Sequence, residues 1–166
     1  MPDILAPDLQ VVFCGINPSV YSVVVGHHFA RPGNRFWPAL TNSGWTPRLF
    51  KPHEDARLLD LGMGVTNIAA RATVAAADLS KEELRAGAPI LAAKIERLAP
   101  RWLAILGVSA FRVAFDSPGA TFGPQDKTIG GAKVWVLPNP SGLNAHFPPA
   151  KLAEVFREFR LACDDF

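Results

Sequence analysis

The chain has 166 residues, of which 49% are apolar and 19% charged, and its formal net charge is +2. This apolar content excludes a disordered chain, and the length suffices for one domain with a sizeable core. The two cysteines cannot supply the four thiolates of an iron–sulfur cluster or a zinc ribbon. No apolar run reaches the roughly 18 residues of a membrane span, and the N-terminus lacks a signal-peptide pattern, so we expect a cytoplasmic protein.

Strands and helices are predicted to alternate along the chain. Strands are predicted near 11–15, 64–69, 102–107 and 133–138; the first and the last contain nearly continuous apolar runs, and the stretches between the strands are long enough for helical crossovers. This order predicts an α/β fold with a mainly parallel sheet, in a single domain that spans residues 1–166.

Three helices are predicted in the second half of the chain. Ser80 and Glu83 indicate a capping box at the start of a short helix. Pro89 suits a first helical turn and predicts that a second helix begins there. The C-terminal helix has an apolar face formed by Leu152, Val155, Phe156 and Phe159. We assign these helices to covering the sheet, without a chemical role.

Two short polar loops follow predicted strands at opposite ends of the chain. The first, Gly15–Ser19, reads Gly-Ile-Asn-Pro-Ser, and the second, Asn139–Asn144, reads Asn-Pro-Ser-Gly-Leu-Asn. Open α/β sheets bind their ligands beyond the carboxyl ends of the strands. The pair therefore predicts one pocket built from both ends of the chain, whereas a single Asn-Pro-Ser sequence would be typical of an ordinary turn.

These loops resemble those of the mismatch-specific uracil-DNA glycosylases, bacterial relatives of thymine-DNA glycosylase within the uracil-DNA glycosylase superfamily. The resemblance runs from about residue 11 to the final helix, and its other motifs are Phe29–Trp37, Gly64–Asn67, Ala104–Gly107 and Trp135–Leu143. It implies a three-layer α/β/α sandwich with a short central sheet. It also implies an enzyme that extrudes a base from duplex DNA into a pocket.

The resemblance further implies which residues form the base pocket. Phe29 stands at the family's stacking position, although without the resemblance it would be interpreted as a core aromatic. Ser19 replaces a bulky tyrosine of the uracil-specific relatives, which leaves room beside carbon 5 of the base. The stretch from Ser19 to Phe29 is bulkier than in the family, so the pocket edge can differ. The other implied pocket residues are Ile16, Ser22, Asn67 and Asn139.

The second loop is expected to enter the DNA. Leu143 is an apolar side chain on a narrow loop, which suits a wedge that fills the gap left by the extruded nucleotide. In the family, groups around the wedge read the opposite guanine. This implies such a role for Ser141, Gly142 and Asn144, and a preference for G·U over A·U pairs.

Asn17 is the predicted main catalytic residue. The uracil-specific relatives have an aspartate there and a histidine where Asn139 stands. An asparagine can position water but is a poor base, so the resemblance implies a slow enzyme. Asp60 ends a predicted helix before the strand that carries Asn67, and we consider it as a second group that activates water. The alternative is that Asp60 caps the helix end or pairs with an arginine.

Contacts to DNA phosphates are predicted for Arg31, Arg35 and Arg71, with Lys151 as a further candidate. Arg35 could instead hold the first loop. The expected partner is double-stranded DNA that contains mispaired or damaged pyrimidines, bound by a monomer. We expect an association with the nucleoid and no cofactor, metal ion or membrane partner.

Two other enzyme classes fit the sequence poorly. Gly107–Phe111 lacks the second glycine of a serine-hydrolase nucleophile turn, and Gly62–Asn67 lacks the third glycine of a dinucleotide-binding loop. The prediction is a monofunctional glycosylase that hydrolyses uracil from G·U mispairs, acts more weakly on G·T, ethenocytosine or 5-substituted uracils, and leaves an abasic site. The alternative is a non-catalytic module that recognises mispaired or damaged DNA on the same scaffold.

Overall fold

A five-stranded sheet forms the centre of the computed structural model, which describes residues 1–164. Its strands are β1 (Val11–Gly15), β2 (Met63–Asn67), β3 (Trp102–Leu106), β4 (Gly123–Ile129) and β5 (Ala132–Leu137). Their order across the sheet is β2-β1-β3-β5-β4. All neighbours are parallel except β4 and β5, so the predicted mainly parallel sheet is confirmed.

Helices flank both faces of this sheet. The α-helices of the described chain are α1 (Val20–Val25), α2 (Phe36–Asn42), α3 (Lys81–Leu98), α4 (Val108–Ala114) and α5 (Pro149–Asp164). Two 3₁₀ helices span Pro52–Leu61 and Ala76–Asp78. Within residues 1–164, none of these helices combines the length and the apolar character that crossing a membrane requires.

Two apolar cores lie on opposite faces of the sheet. Val11 and Phe13 belong to the core that includes residues of α2 and α5, whereas Val12 and Cys14 belong to the core with residues of α3 and α4. Successive side chains of a strand point to opposite faces, so a strand covered on both sides needs a continuous apolar run. Burial also raises the pKa of the Cys14 thiol, which therefore packs as a protonated, apolar group. The predicted α/β class is confirmed.

Strand β4 is absent from the sequence-based prediction. It is a polar edge strand that contains Pro124, and its pairing with β5 is irregular between Pro124 and Thr128. An edge strand tolerates proline and polar side chains because one of its sides is not hydrogen-bonded to a neighbour. For the same reason, apolar runs in the sequence do not predict such a strand.

The predicted break at Pro89 is wrong, because α3 continues through this residue. Leu84 before the proline and Leu91 after it are both buried in one core, so packing supports a single helix. The predicted capping box is confirmed. Ser80 Oγ accepts a hydrogen bond from Glu83 N at 3.1 Å, and Ser80 N donates to Glu83 Oε1 at 3.3 Å.

Candidate active site

A cavity of about 170 Å³ lies at the carboxyl ends of the parallel strands, between the two Asn-Pro-Ser loops. Gly15 and Asn67, the last residues of β1 and β2, are register partners and both line it. The fold thus brings the first and second loops to one site. An apolar cavity of about 150 Å³ can hold one benzene-sized ring, so this cavity has room for a single six-membered ring.

Most of the predicted pocket residues line this cavity. They are Ile16, Asn17, Ser19, Ser22, Phe29, Asn67 and Asn139, together with Arg31, Ser141 and Leu143 of the predicted DNA contacts. Other lining residues were not predicted, and they include Met1, Thr73 and Val74. Their segments carry no motif in the sequence, so only the fold places them at the site. His28, which also lines the cavity, lies in the bulky stretch from Ser19 to Phe29 that was expected to alter the pocket edge.

The side chain of Asn17 is held in one orientation by the segment after β2. Asn17 Nδ2 donates to Arg71 O at 2.9 Å and to Thr73 Oγ1 at 2.7 Å. Thr73 Oγ1 gives its own hydrogen to Ala75 O at 2.7 Å, so it must accept from Asn17. Both contacts of the Asn17 amide therefore require its NH₂ group. The carbonyl oxygen, Oδ1, remains as the acceptor that Asn17 can offer to a molecule in the cavity.

Phe29 supplies an aromatic wall in an unusual backbone conformation. Its φ angle is 53°, a left-handed value that bulky residues seldom adopt. The Phe29 ring stacks on Phe36, with the ring centroids 4.0 Å apart and the planes inclined by 27°. Trp37 Nε1 donates to the neighbouring His28 O at 3.2 Å. These contacts hold a half-buried ring beside the cavity at the expense of local backbone strain.

Gly15 allows two pocket side chains to approach β1 closely. A Cβ atom at this position would lie 2.6 Å from Asn67 Oδ1 and 3.6 Å from the Phe29 ring. The first distance is shorter than a non-bonded contact allows. A glycine here therefore lets the Asn67 side chain keep its present position, and any larger residue would require Asn67 to move.

Ser19 and Ser22 line the cavity but bond chiefly to each other. Ser19 caps α1, since its Oγ accepts from Ser22 N at 3.1 Å, and it donates to Ser22 Oγ at 3.0 Å. Ser22 Oγ also accepts from Ala30 N at 3.0 Å. These bonds fix the turn that carries Phe29, and the shortness of Ser19 leaves space at the pocket edge.

Arg35 holds the second loop through main-chain carbonyl groups. Its Nη1 atom donates to Asn144 O at 2.8 Å and to Phe147 O at 2.9 Å, and Nη2 donates to Gly142 O at 3.0 Å. These bonds use three of the five N–H donors of the guanidinium, so a phosphate contact of Arg35 stays a prediction. The alternative, that Arg35 holds the first loop, is wrong about the loop, because these contacts are to the second loop and to Phe147.

The second loop also bonds to itself. Asn139 Oδ1 accepts from Ser141 N at 3.0 Å, and Ser141 Oγ accepts from Leu143 N at 3.2 Å. A Cβ atom at Gly142 would lie 2.4 Å from Gly33 O, so this residue packs directly on the Phe29–Trp37 segment. Leu143 projects from this braced loop with 78% of its surface exposed. This exposed side chain is the one predicted as the wedge.

The other predicted cations differ in their surroundings. Arg31 is exposed and lines the cavity. Arg71 forms an ion pair with Glu83, with Nε and Oε2 2.7 Å apart, and this pairing lowers the pKa of Glu83 to about 2. The pair and a bond from Nη2 to Asp78 O at 3.1 Å use the Nε and Nη2 groups of Arg71. Lys151 Nζ lies 5.2 Å from the centroid of the Phe147 ring.

Asp60 lies outside the site. It is exposed near the end of the 3₁₀ helix Pro52–Leu61, just before the amino end of β2, and does not line the cavity. The cavity lies at the opposite, carboxyl end of this strand. The hypothesis that Asp60 activates water at the base is therefore corrected, because the length of β2 separates the two.

The lining groups offer stacking and hydrogen bonding. Among the described residues, no aspartate or glutamate lines the cavity, and its ionisable side chains are His28 and Arg31. Also within residues 1–164, no three His, Cys, Asp or Glu side chains are grouped so that they could hold a metal ion. An orienting asparagine and an aromatic wall are the groups with which this pocket can act on a flat ring.

Comparison with known proteins agrees with this geometry. Over 96% of both chains, the structure is similar to the solution NMR structure of a candidate uracil DNA glycosylase from Methanosarcina acetivorans, with a TM-score of 0.62 and 18% sequence identity. At that identity the likeness concerns the fold. The family model described as the uracil DNA glycosylase superfamily matches residues 2–160, nearly the whole chain. Because this match covers nearly the whole chain, the protein belongs to the uracil DNA glycosylase superfamily.

Proposed function

We propose that this protein is a monofunctional DNA glycosylase that excises uracil from G·U mispairs and leaves an abasic site. The observation that carries the proposal is the orientation of Asn17. Its NH₂ group is bound to Arg71 O and Thr73 Oγ1, so its Oδ1 can accept a hydrogen bond beside a cavity with room for one ring.

The reaction follows from the groups around this cavity. An extruded uracil stacks on Phe29, and Asn17 Oδ1 orients the attacking water. The water oxygen bonds to C1′ of the deoxyribose while the bond from C1′ to N1 of uracil breaks. The proton released by the water ends on the departing base. An amide is a weak base, so the rate depends on the quality of the leaving group and we expect slow turnover.

The preference for mispairs comes from two sources. A mispaired base costs less to extrude than a paired one, which favours G·U before any bond breaks. The gap is filled by Leu143, and the neighbouring main-chain groups face the orphaned guanine. Arg35 already uses Gly142 O, but a carbonyl oxygen has two lone pairs and can accept a second hydrogen bond.

The size of the cavity indicates which bases should be excised faster. At about 170 Å³ it suits uracil, and a small substituent at carbon 5 fits beside the short Ser19 side chain. A bicyclic base such as ethenocytosine requires the walls to move. We therefore expect weaker excision of thymine, 5-substituted uracils and ethenocytosine.

The test is single-turnover release of uracil from a labelled G·U duplex, with A·U and single-stranded uracil measured alongside. Wild-type protein should release uracil fastest from G·U. Asn17→Ala should slow this release by about 100-fold, as when one preorganised hydrogen-bonding group is removed from an active site. Asp60→Asn, which changes a side chain outside the cavity, serves as the matched control and should leave the rate unchanged.

Two outcomes would contradict this proposal. Equal rates for wild type and Asn17→Ala would assign the chemistry to another group. Tight binding of G·U duplex without any release, with protein in excess and after long incubation, would favour a non-catalytic module that recognises damaged DNA. The absence of a lining carboxylate among the described residues is the observation that keeps this second candidate open.

A further inference from the structure

A second cavity lies next to the base cavity, and the chain segment Met1–Asp3 lies between them. The second cavity has a volume of about 520 Å³. Met1, Pro18 and Asn67 line both cavities, whereas Pro2 and Asp3 line only the second. Met1 therefore forms part of the wall of the base cavity, and Pro2 and Asp3, which follow it, border the open space of the second cavity.

This segment is fixed on the side of the base cavity by His28. The His28 ring is buried and lines the base cavity, and its Nε2 donates to Pro2 O at 2.8 Å. Just beyond the segment, Ile4 pairs with Val65 of β2. Ile4 N donates to Val65 O at 2.9 Å, and Val65 N donates to Ile4 O at 2.8 Å.

On the side of the second cavity the segment is fixed by a closed triangle of polar groups. Lys94 Nζ lies 2.5 Å from Asp3 Oδ2 and donates to Thr66 Oγ1 at 3.1 Å, while Thr66 Oγ1 donates to Asp3 Oδ1 at 3.0 Å. Lys94 is on α3 and Thr66 is on β2, immediately before Asn67. The triangle thus links the segment to the strand that delivers a pocket residue.

The charges of this triangle are shielded enough from water to hold Met1–Asp3 in place. The Lys94 and Asp3 side chains are only 22% and 32% exposed, so water screens their attraction less than that of a fully exposed pair. Both ionic groups line the second cavity, not the base cavity. They therefore act on a bound base indirectly, through the segment that they hold and through Thr66, which directly precedes the pocket residue Asn67.

We propose that Met1–Asp3 is a wall that determines which bases enter the pocket, held in place by Asp3, Thr66 and Lys94. This inference rests on the proposed glycosylase function and concerns the substrate range of the same site. With the wall in place, the cavity accepts a single ring. When the wall is released, the base cavity opens toward the space of about 520 Å³ behind it, and a bicyclic base fits. Asp3 and Lys94 are thus positioning residues for specificity.

The test compares uracil with ethenocytosine, each opposite guanine in the same duplex, by single-turnover excision. Lys94→Met and Asp3→Lys should each raise the ratio of ethenocytosine to uracil excision by about tenfold, the discrimination that a change of pocket size typically brings. The double variant Asp3→Lys with Lys94→Asp restores an ion pair of opposite polarity and should return the ratio toward the wild-type value. An unchanged ratio in folded single variants would overturn the proposal.

A matched control removes a similar ion pair elsewhere. Arg48 pairs with Glu54 in the region of the 3₁₀ helix Pro52–Leu61, and neither residue lines the base cavity. Arg48→Met should leave the ratio of the two substrates unchanged. If it changes the ratio as much as Lys94→Met does, the effect comes from general destabilisation and the proposal fails.

A binding measurement separates failure of this inference from failure of the proposed function. Duplexes that carry the 2′-fluoro forms of the two nucleotides resist cleavage but still present the base. If wild-type protein excises nothing, the proposed function fails, and the ratio of the two dissociation constants still tests the wall. Lys94→Met should lower the dissociation constant for the ethenocytosine duplex relative to the uracil duplex by about tenfold. Equal ratios in wild type and variant would overturn the inference.

Discussion

The two Asn-Pro-Ser turns have the same sequence but use their asparagines differently. Asn17 donates from its NH₂ group to the segment after β2, which leaves its oxygen for the cavity. Asn139 instead uses its oxygen to accept Ser141 N within its own loop. The same tripeptide thus gives a candidate catalytic group in one loop and a loop-forming group in the other. The hydrogen-bond partners, rather than the motif, distinguish the two.

The residues that end the two strands before these loops also differ. β1 ends with Gly15, which leaves space for Asn67 and Phe29, whereas β5 ends with the buried Leu137. Both loops border the cavity, but the first follows a glycine that leaves space for pocket side chains, whereas the second follows a packed core residue. Substitutions that disturb the first loop should affect excision, and those in the second should affect recognition or stability.

The largest effect is expected for Gly15→Ala. The new Cβ would lie 2.6 Å from Asn67 Oδ1, so Asn67 must move within the pocket. We expect single-turnover excision of uracil to fall by about 100-fold, as misplacement of reacting groups by about 1 Å can cause. Gly119→Ala is the matched control, because no atom lies within 4 Å of its Cβ position. Equal rates for both variants would contradict the steric requirement.

A smaller loss is expected for Thr73→Val. Valine keeps the shape of threonine but removes the oxygen that accepts from Asn17 Nδ2. The amide then has one holding contact instead of two, and we expect about a tenfold lower rate of uracil release, less than the roughly 100-fold loss when a preorganised group is removed outright. Thr73→Ser keeps the oxygen and should retain the rate. A full rate in Thr73→Val would show that Arg71 O alone orients Asn17.

Arg35→Met tests how the second loop is held. The substitution removes three hydrogen bonds to carbonyl groups of this loop, so Leu143 loses its fixed position. We expect the preference for G·U over A·U to fall by about fivefold, which corresponds to about 1 kcal/mol, the net contribution of a typical hydrogen bond. Arg157→Met, on the exposed side of α5, is the control. An unchanged preference would mean that the loop is positioned without Arg35.

The smallest effect on excision is expected for Asn139→Ala. Loss of the contact to Ser141 N should lower the free energy of unfolding by about 1 kcal/mol, measured by urea denaturation. Single-turnover release of uracil should change less than about threefold, since Asn139 Oδ1 serves the loop. A loss as large as that of Asn17→Ala would show that the two asparagines have equal roles.

The sequence predicted the parts of the fold that have strong local patterns. Buried parallel strands need continuous apolar runs, so β1, β2, β3 and β5 were recognised, and the loops after β1 and β5 followed from them. β4 was not predicted, because an edge strand does not need a continuous apolar run. The helix start predicted at Pro89 was wrong, because packing of α3 against the core outweighs the preference of proline for the first helical turn.

Within the candidate site, residues of the two Asn-Pro-Ser motifs line the cavity, whereas Thr73 also lines it but belongs to no motif. Thr73 is a single threonine in a loop, and no spacing indicates that it meets Asn17, more than 50 residues away in the chain. Asp60 was misassigned because the sequence shows that it precedes β2 but not that the site lies at the far end of this strand. The contacts of Arg35 to the second loop could not be predicted, because its partners are main-chain carbonyls, which every residue has.

The two edges of the sheet are closed to strand addition in different ways. At one edge, β4 carries Pro124 and an irregular register, which interrupt the row of hydrogen-bonding groups that another chain would need. At the other edge, Ile4 forms an antiparallel bridge with Val65 in the middle of β2. Within residues 1–164, exposed apolar side chains such as Val24 and Leu143 therefore lie on a domain whose sheet edges are partly blocked. We expect this arrangement to limit aggregation despite the exposure of Leu143, the proposed wedge.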